Sequence, residues 1–238
     1  ISNNRQFLLN AIEKIEYALP YLKANPNAAP LVLLNYTQWK TDLEVLEKNF
    51  SNSKEKIKSL EDFLDYFPAE ESWGQEARAH IFWHVAKYYQ SMGEYQRSKG
   101  PMHLSIQYGE KALQEIGSRK DLILYADIVM CIANQQVTLA AVSRNSEFIS
   151  PSIEKCNVLK KSFTRSKFPK QFGQCEGIIG YAHLIRFQLS GRIDDLKLAR
   201  IHLESAKSLL EYLDASMYEL CVAFLGQVEK FESRPSRS

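Results

Sequence analysis

Glycine and proline are scarce in this chain, at 10 and 8 of 238 residues, which removes the turn punctuation that a many-stranded sheet requires. Cysteine is sparse as well. Cys131, Cys156, Cys175 and Cys221 lie far apart without C-x-x-C spacing, which argues against a thiolate metal site or a dithiol redox motif. They are expected to be buried, reduced and structural. No apolar run reaches the roughly 20 residues that span a bilayer, and the start has no basic-then-apolar leader pattern. Charge of one sign is missing too: 30 basic and 28 acidic residues leave a formal charge of +2, so no global field draws the chain to nucleic acid or a membrane surface. Phosphate loops of the G-x-x-x-x-G-K-S/T or G-x-G-x-x-G type are absent, as is a G-x-S-x-G nucleophile elbow, which weakens the case for an enzyme. These absences together predict a protein of a reducing compartment such as the cytoplasm, with no cofactor, no membrane insertion and no nucleic-acid partner. The chain opens at Ile1 instead of methionine, as expected of a piece of a longer protein whose other domains would be natural partners.

What is present is helical periodicity. Hydrophobic residues make up 45% of the chain, enough for a substantial core, and they recur at intervals of three and four. A first helix is expected from about Arg5 to Lys23, with Phe7, Leu8, Ala11, Ile12, Ile15, Ala18, Leu19 and Leu22 on one face, and with Pro20 placed to kink or end it. Asn25-Pro26 and Ala29-Pro30 mark a turn and a new helix start. Helices over 31–50 and 54–67 follow, with Pro68 closing the second and Trp73-Gly74 in a connector. A helix over 75–92 is expected to stop at Gly93, since glycine suits a left-handed helix end. A loop through Lys99-Gly100-Pro101 then leads to a helix over 102–116 that stops at Gly117. Asp121 is a cap for a helix over 122–143 that is apolar nearly all round, the expected centre of the core. Further helices are expected over 150–167, punctuated by Pro169, then over 171–189, 194–213 and 216–231. The fold class is therefore all-α, of about ten helices. Residues 1–74 are read as N-terminal helices that pack on the rest, 75–232 as a repeat array, and 233–238 as a disordered tail.

Two segments carry the same marks about a hundred residues apart. Tyr89-x-x-x-Gly93-x-Tyr95 closes one apolar helix and Phe187-x-x-x-Gly191-x-Ile193 another, each followed by a second amphipathic stretch. In the first unit the telling positions are Phe82, Val85, Ala86, Tyr89, Gly93 and Tyr95, then Ser105, Gly109 and Ala112. In the second they are Gly180, His183, Leu184, Phe187, Gly191 and Ile193, then Ala199, Leu203 and Ala206. This pattern resembles the tetratricopeptide repeat family, with longer turns, with Leu184 at the small-residue site and with His183 at an apolar one. The resemblance covers about 75–213. It implies a right-handed α-solenoid of antiparallel helix pairs and a function of binding a protein or peptide segment.

In that family the first helix of each pair lines a concave groove. The matching positions here are His80, Trp83, Lys87 and Gln90, then Ile178, Tyr181, Ile185 and Gln188. Trp83 and Tyr181 would offer contact area, and Lys87 a partner for a peptide carboxylate. Ile185 stands where a carboxylate clamp would place a polar residue.

Other constellations point elsewhere. Glu76, His80 and His84 repeat at four-residue intervals, which stacks three metal-ligand types on one helix side, though without the H-E-x-x-H arrangement of a catalytic zinc site. Asp62 and Asp65 imitate an acidic magnesium motif but have no second cluster to face. Asp194-Asp195 reads as a helix N-cap. Gly173, Gly177 and Gly180 imply either close helix contact or a fragile helix. Lys155, Lys160, Lys161, Arg165, Lys167 and Lys170 form a basic run that would suit an anionic partner, with no aromatic interleaving for base stacking. A ligand- or peptide-responsive sensor and an all-α metal-dependent enzyme are the rival readings to a non-catalytic interaction or regulatory module.

Overall fold

The structure is a computed structural model that describes residues 2–22, 29–48, 50–51, 53–117 and 122–233. It contains ten α-helices and, among the described residues, no strand. They are α1 Ser2–Leu22, α2 Ala29–Glu47, α3 Ser53–Glu61, α4 Ser72–Gln96, α5 Lys99–Ile116, α6 Leu122–Ser143, α7 Ile149–Ser162, α8 Pro169–Ser190, α9 Ile193–Leu210 and α10 Ala215–Glu232. Short 3-10 turns at Asp62–Tyr66 and Ser146–Phe148 join α3 to α4 and α6 to α7. The Asn25-Pro26 turn, the Asp121 cap and residues 234–238 of the expected tail lie outside the described residues. The chain divides into two compact units, Ile1–Ile128 and Val129–Ser238, with the division inside α6.

In the first unit α1 pairs with α2, and α2 and α3 pack on α4. Ile12, Ile15, Tyr36 and Leu43 form one apolar cluster, and Ile57, Leu60, Val85, Tyr88 and Tyr89 another. The most extensive pairing of this unit is α4 on α5. Ala86 and Ala112 have no exposure, and Gly109 is also buried; these small residues let the two backbones approach. Pro20 lies inside α1 near its end, and Pro30 falls in the first turn of α2, where its missing N–H costs nothing.

Four boundary expectations are corrected. Gly93 does not stop α4, which runs on to Gln96 and ends at Arg97 in a left-handed conformation (φ 50°) whose N–H bonds to the Gly93 carbonyl. Gly93 serves proximity instead: a Cβ there would stand 2.8 Å from Met102 Cγ. The expected loop at Lys99-Gly100-Pro101 is already the first turn of α5, where proline is tolerated. Trp73-Gly74 belongs to α4, not to a connector, and a Cβ on Gly74 would collide with the Pro68 carbonyl. Pro169 opens α8 at its first turn, while α7 has ended at Ser162.

The second unit is built around α8. It packs on α7 and α9, and α10 lies against both α9 and α8. Gly191 (φ 72°) ends α8 with its N–H bonded to the Phe187 carbonyl, as the helix-stop pattern predicts. The glycine series resolves as close helix contact. A Cβ on Gly180 would lie 2.6 Å from Leu203 Cγ and 3.0 Å from the Leu203 backbone nitrogen, and one on Gly173 2.9 Å from Leu210. Facing them, Ala199, Leu203, Ala206 and Leu210 of α9 are fully buried at intervals of four, three and four. Each leucine so buried contributes about 1.5 to 3 kcal/mol, and the glycines allow that row to sit against the α8 backbone.

α6 passes the length and composition test for crossing a membrane over Ile123–Ser143, although 67% of its apolar window is buried within the chain. Ala126, Ile128, Ile132, Ala133, Val137 and Leu139 are at or near zero exposure, the pattern of a core helix. On this side the Ser152 hydroxyl of α7 donates 2.8 Å to the Ala133 carbonyl.

Candidate functional site

Helical spacing puts His80, Trp83, His84 and Lys87 of α4 on one stripe, and the side chains touch in sequence. The His80 and Trp83 rings lie 6.1 Å apart, those of Trp83 and His84 5.0 Å, and the Lys87 ammonium stands 4.9 Å over the Trp83 ring. His80, Trp83, Lys87 and Gln90 are all half-buried, and Gln90 donates 3.0 Å to Glu94. His84 is different. It is 1% exposed, its Nδ1 has no hydrogen-bond partner, and burial, with Lys87 and His80 adding repulsion, pushes its pKa down to about 3. The ring is neutral at physiological pH and its lone Nδ1 is turned inward. Glu76 is exposed, and no group of three or more His, Cys, Asp or Glu side chains among the described residues is arranged to hold a metal ion.

The second groove series fares differently, because α10 lies on it. Tyr181 stacks on Phe224 at 4.4 Å with rings 5° from parallel, Gln188 donates to Gln227, and Ile178 and Ile185 are 3% and 5% exposed. The chain's own last helix thus contacts Tyr181, while Ile185 is buried and Gln188 stays exposed. Periodicity shows which residues share a side of a helix, but not which neighbour covers it.

Asp194 is exposed while Asp195 is buried, so the two do not act together as a cap. Arg192 is the N-cap of α9, without a side-chain cap bond. Asp195 turns instead into α8, where Arg186 Nε donates 2.7 Å to its Oδ1 and His183 Nδ1 stands 3.1 Å away. Arg186 Nη2 also lies 2.9 Å from His183 Nδ1. His183 Nδ1 thus stands between a carboxylate oxygen and a guanidinium nitrogen, and which of the two it bonds is set by the tautomer of the ring. Burial, the largest influence, lowers the His183 pKa, and Arg186 reinforces it against the pull of Asp195.

A parallel arrangement sits beside it. The His202 ring of α9 stacks on His183 at 5.7 Å and 2°, and its Nδ1 lies 2.9 Å from Glu176 of α8. Lys160 of α7 pairs with the same Glu176. Burial alone would raise the Glu176 and Asp195 pKa values, yet the bonds from His202 and Lys160, and from His183 and Arg186, hold both below the usual range. The network Lys160, Glu176, His202, His183, Asp195, Arg186 ties three helices through charges that are each matched. Beside it the Cys156 thiol, hydrogen-bonded to Cys175 and buried, is pushed well above the usual range. None of the four cysteines is disulfide-bonded.

This network leaves little trace in the sequence, because its members lie on three helices. Its trace was His183 at a position expected to be apolar: a histidine on a closely packed face needs a polar partner, and the second aspartate of Asp194-Asp195 was the nearest candidate.

Alongside lies a pocket of about 350 Å³. Its α7 wall is Ser150, Ile153, Glu154, Asn157, Val158 and Lys161, a single stripe by spacing, and His183 and Arg186 of α8 face it. In the basic run, Lys160 is taken up by Glu176, whereas Lys155, Lys161, Arg165, Lys167 and Lys170 form no ion pair among the described residues. The last four are exposed. Asp62 and Asp65 are exposed on a 3-10 turn, while Glu61 beside them accepts from the Tyr108 hydroxyl at 2.7 Å. No family model matches the chain, and no curated protein or solved structure matches it.

Proposed function

We propose that the chain is a non-catalytic, tetratricopeptide-like α-solenoid module that binds a protein or peptide segment and serves as an interaction or regulatory part of a larger protein. The observation that carries this reading is the α4 stripe: a half-exposed indole held beneath an ammonium, flanked by His80 and Gln90. A rigid aromatic beside a cation supplies contact area with little loss of rotamer freedom, the property that concentrates binding energy in a few residues. The paired helices α4/α5 and α8/α9, each closed over small residues, support the repeat reading. With α10 against Tyr181 and Gln188, recognition is assigned to His80, Trp83, Lys87 and Gln90.

The test is selection of binding peptides from a random display library by the purified chain, followed by affinity measurements. Trp83→Ala and Lys87→Glu are each expected to weaken one set of the selected peptides by at least about tenfold, which is about 1.4 kcal/mol, with the melting temperature little changed. Equal binding by both variants removes α4 from the reading.

A further inference from the structure

The pocket between α7 and α8 has an internal order. Lys160 meets Glu176, so the last turn of α7 lies beside the first half of α8. Arg186 and His183 therefore belong to the other end of the groove, near Ser150 and Ile153, and Lys161 marks the end that opens on the connector. Between them Ile153 and Val158 give the wall its apolar middle, and Val158 is 50% exposed although it is valine. The stripe from Ser150 to Lys161 rises about 17 Å along the helix axis, the span of about five extended residues.

Charge decides what fits. Arg186 is already matched by Asp195, and Glu154 adds one negative group to the wall. At the connector end Lys161, Arg165, Lys167 and Lys170 stand exposed with no ion pair among the described residues. The aromatic rings of the connector are engaged with each other and not laid out for base stacking: Phe163 is buried, and its ring lies 4.9 Å from that of Phe168 at a tilt of 57°.

We propose that this groove is a second binding site, distinct from α4, and that it takes an acidic peptide segment with an aliphatic side chain against Ile153 and Val158 and with carboxylates running toward Lys161 and the connector cations. Attraction to exposed cations falls with salt, while the aliphatic contact does not. The pair of contacts selects a peptide over a simple anion.

The experiment pans the purified chain against a random peptide library and measures the selected peptides on Val158→Asp, on the double variant Lys161→Glu with Arg165→Glu, and on Trp83→Ala. Val158, Lys161 and Arg165 are exposed, so both groove variants are expected to keep the parent melting temperature; should either melt early, Lys161→Gln gives the same readout. The expected outcome is a set of sequences rich in Asp and Glu around an aliphatic residue, bound at least about tenfold more weakly by either groove variant, weakened by added salt and indifferent to Trp83→Ala. That indifference separates this site from the α4 stripe, so one can fail while the other stands. The proposal is overturned if no acidic set is selected, or if Val158→Asp retains it. It is equally overturned if inorganic phosphate or a labelled single-stranded oligonucleotide competes as well as the peptides, which would mark the surface as generic cationic ground.

Discussion

The α4/α5 and α8/α9 pairs bury a histidine at comparable depth and treat it in opposite ways. His84 is buried beside the His80 and Trp83 rings with Nδ1 lacking a partner, whereas His183 and His202 sit in a circuit of two carboxylates, a lysine and an arginine. Both solutions keep a buried imidazole in the chain. The first relies on neutrality alone, the second on matched charge, and a matched circuit is strongly coupled because removal of one member strands the others.

The comparison is most exposed to failure at Asp195. Asp195→Ala leaves Arg186 and His183 facing each other without an anion and is expected to cost about 3 kcal/mol, the low end for a broken buried pair because Arg186 is partly solvated; urea unfolding measures it. A loss near zero would mean that the circuit is ornamental and that the two units differ little. Next comes the closeness of the helices. Gly180→Ala sets a methyl against the Leu203 backbone as well as its side chain and is expected to cost about 2 to 3 kcal/mol. Gly93→Ala meets Met102 Cγ at 2.8 Å and the Met102 backbone nitrogen at 3.2 Å, a looser fit on both atoms than at Gly180, so that it should cost less, about 1 kcal/mol. Equal costs would erase the difference in packing.

Acidification sharpens the contrast. A buried histidine whose pKa is lowered leaves the unfolded chain binding more protons below about pH 6.5, so stability is complete above that value and declines as pH falls. For His84 the decline runs at about 1.4 kcal/mol per pH unit down toward its folded value of about 3. His183 carries the same sign, and Asp195 and Glu176 add a later loss once the pH enters the ordinary carboxylate range and falls through their depressed values. His84→Leu should flatten the upper part of the stability profile between pH 7 and 5; an unchanged slope would show that His84 titrates normally. The smallest effect belongs to Lys87→Ala, about 0.5 to 1 kcal/mol from the loss of the cation over Trp83, readable as a small shift in the urea midpoint.

Much of the architecture was legible from spacing alone. The all-α class, the ten helices, the buried character of α6, and the ends at Gly117 and Gly191 follow from periodicity and from glycine at left-handed positions. The errors share a cause. Local rules make Gly93 a stop, Gly74 part of a connector and Pro169 a break, because glycine and proline interrupt helices, yet the two glycines serve tight packing and the proline a helix start. Whether a glycine is wanted for its φ or for its missing Cβ depends on a neighbour far along the chain. The same blindness hid the contact of α10 with Tyr181 and the partner of His183, while the α4 stripe, made by one helix alone, could be read directly.

The glycine face of α8 carries a mechanical consequence. With Leu203 seated against main chain at Gly180 and Leu210 against Gly173, there is no slack for one rod to slip along the other or to roll about its own axis. Any strain arriving from the α7 side must tilt the two together, like a plank and not a hinge, so displacement at one end would reach the far end undiminished.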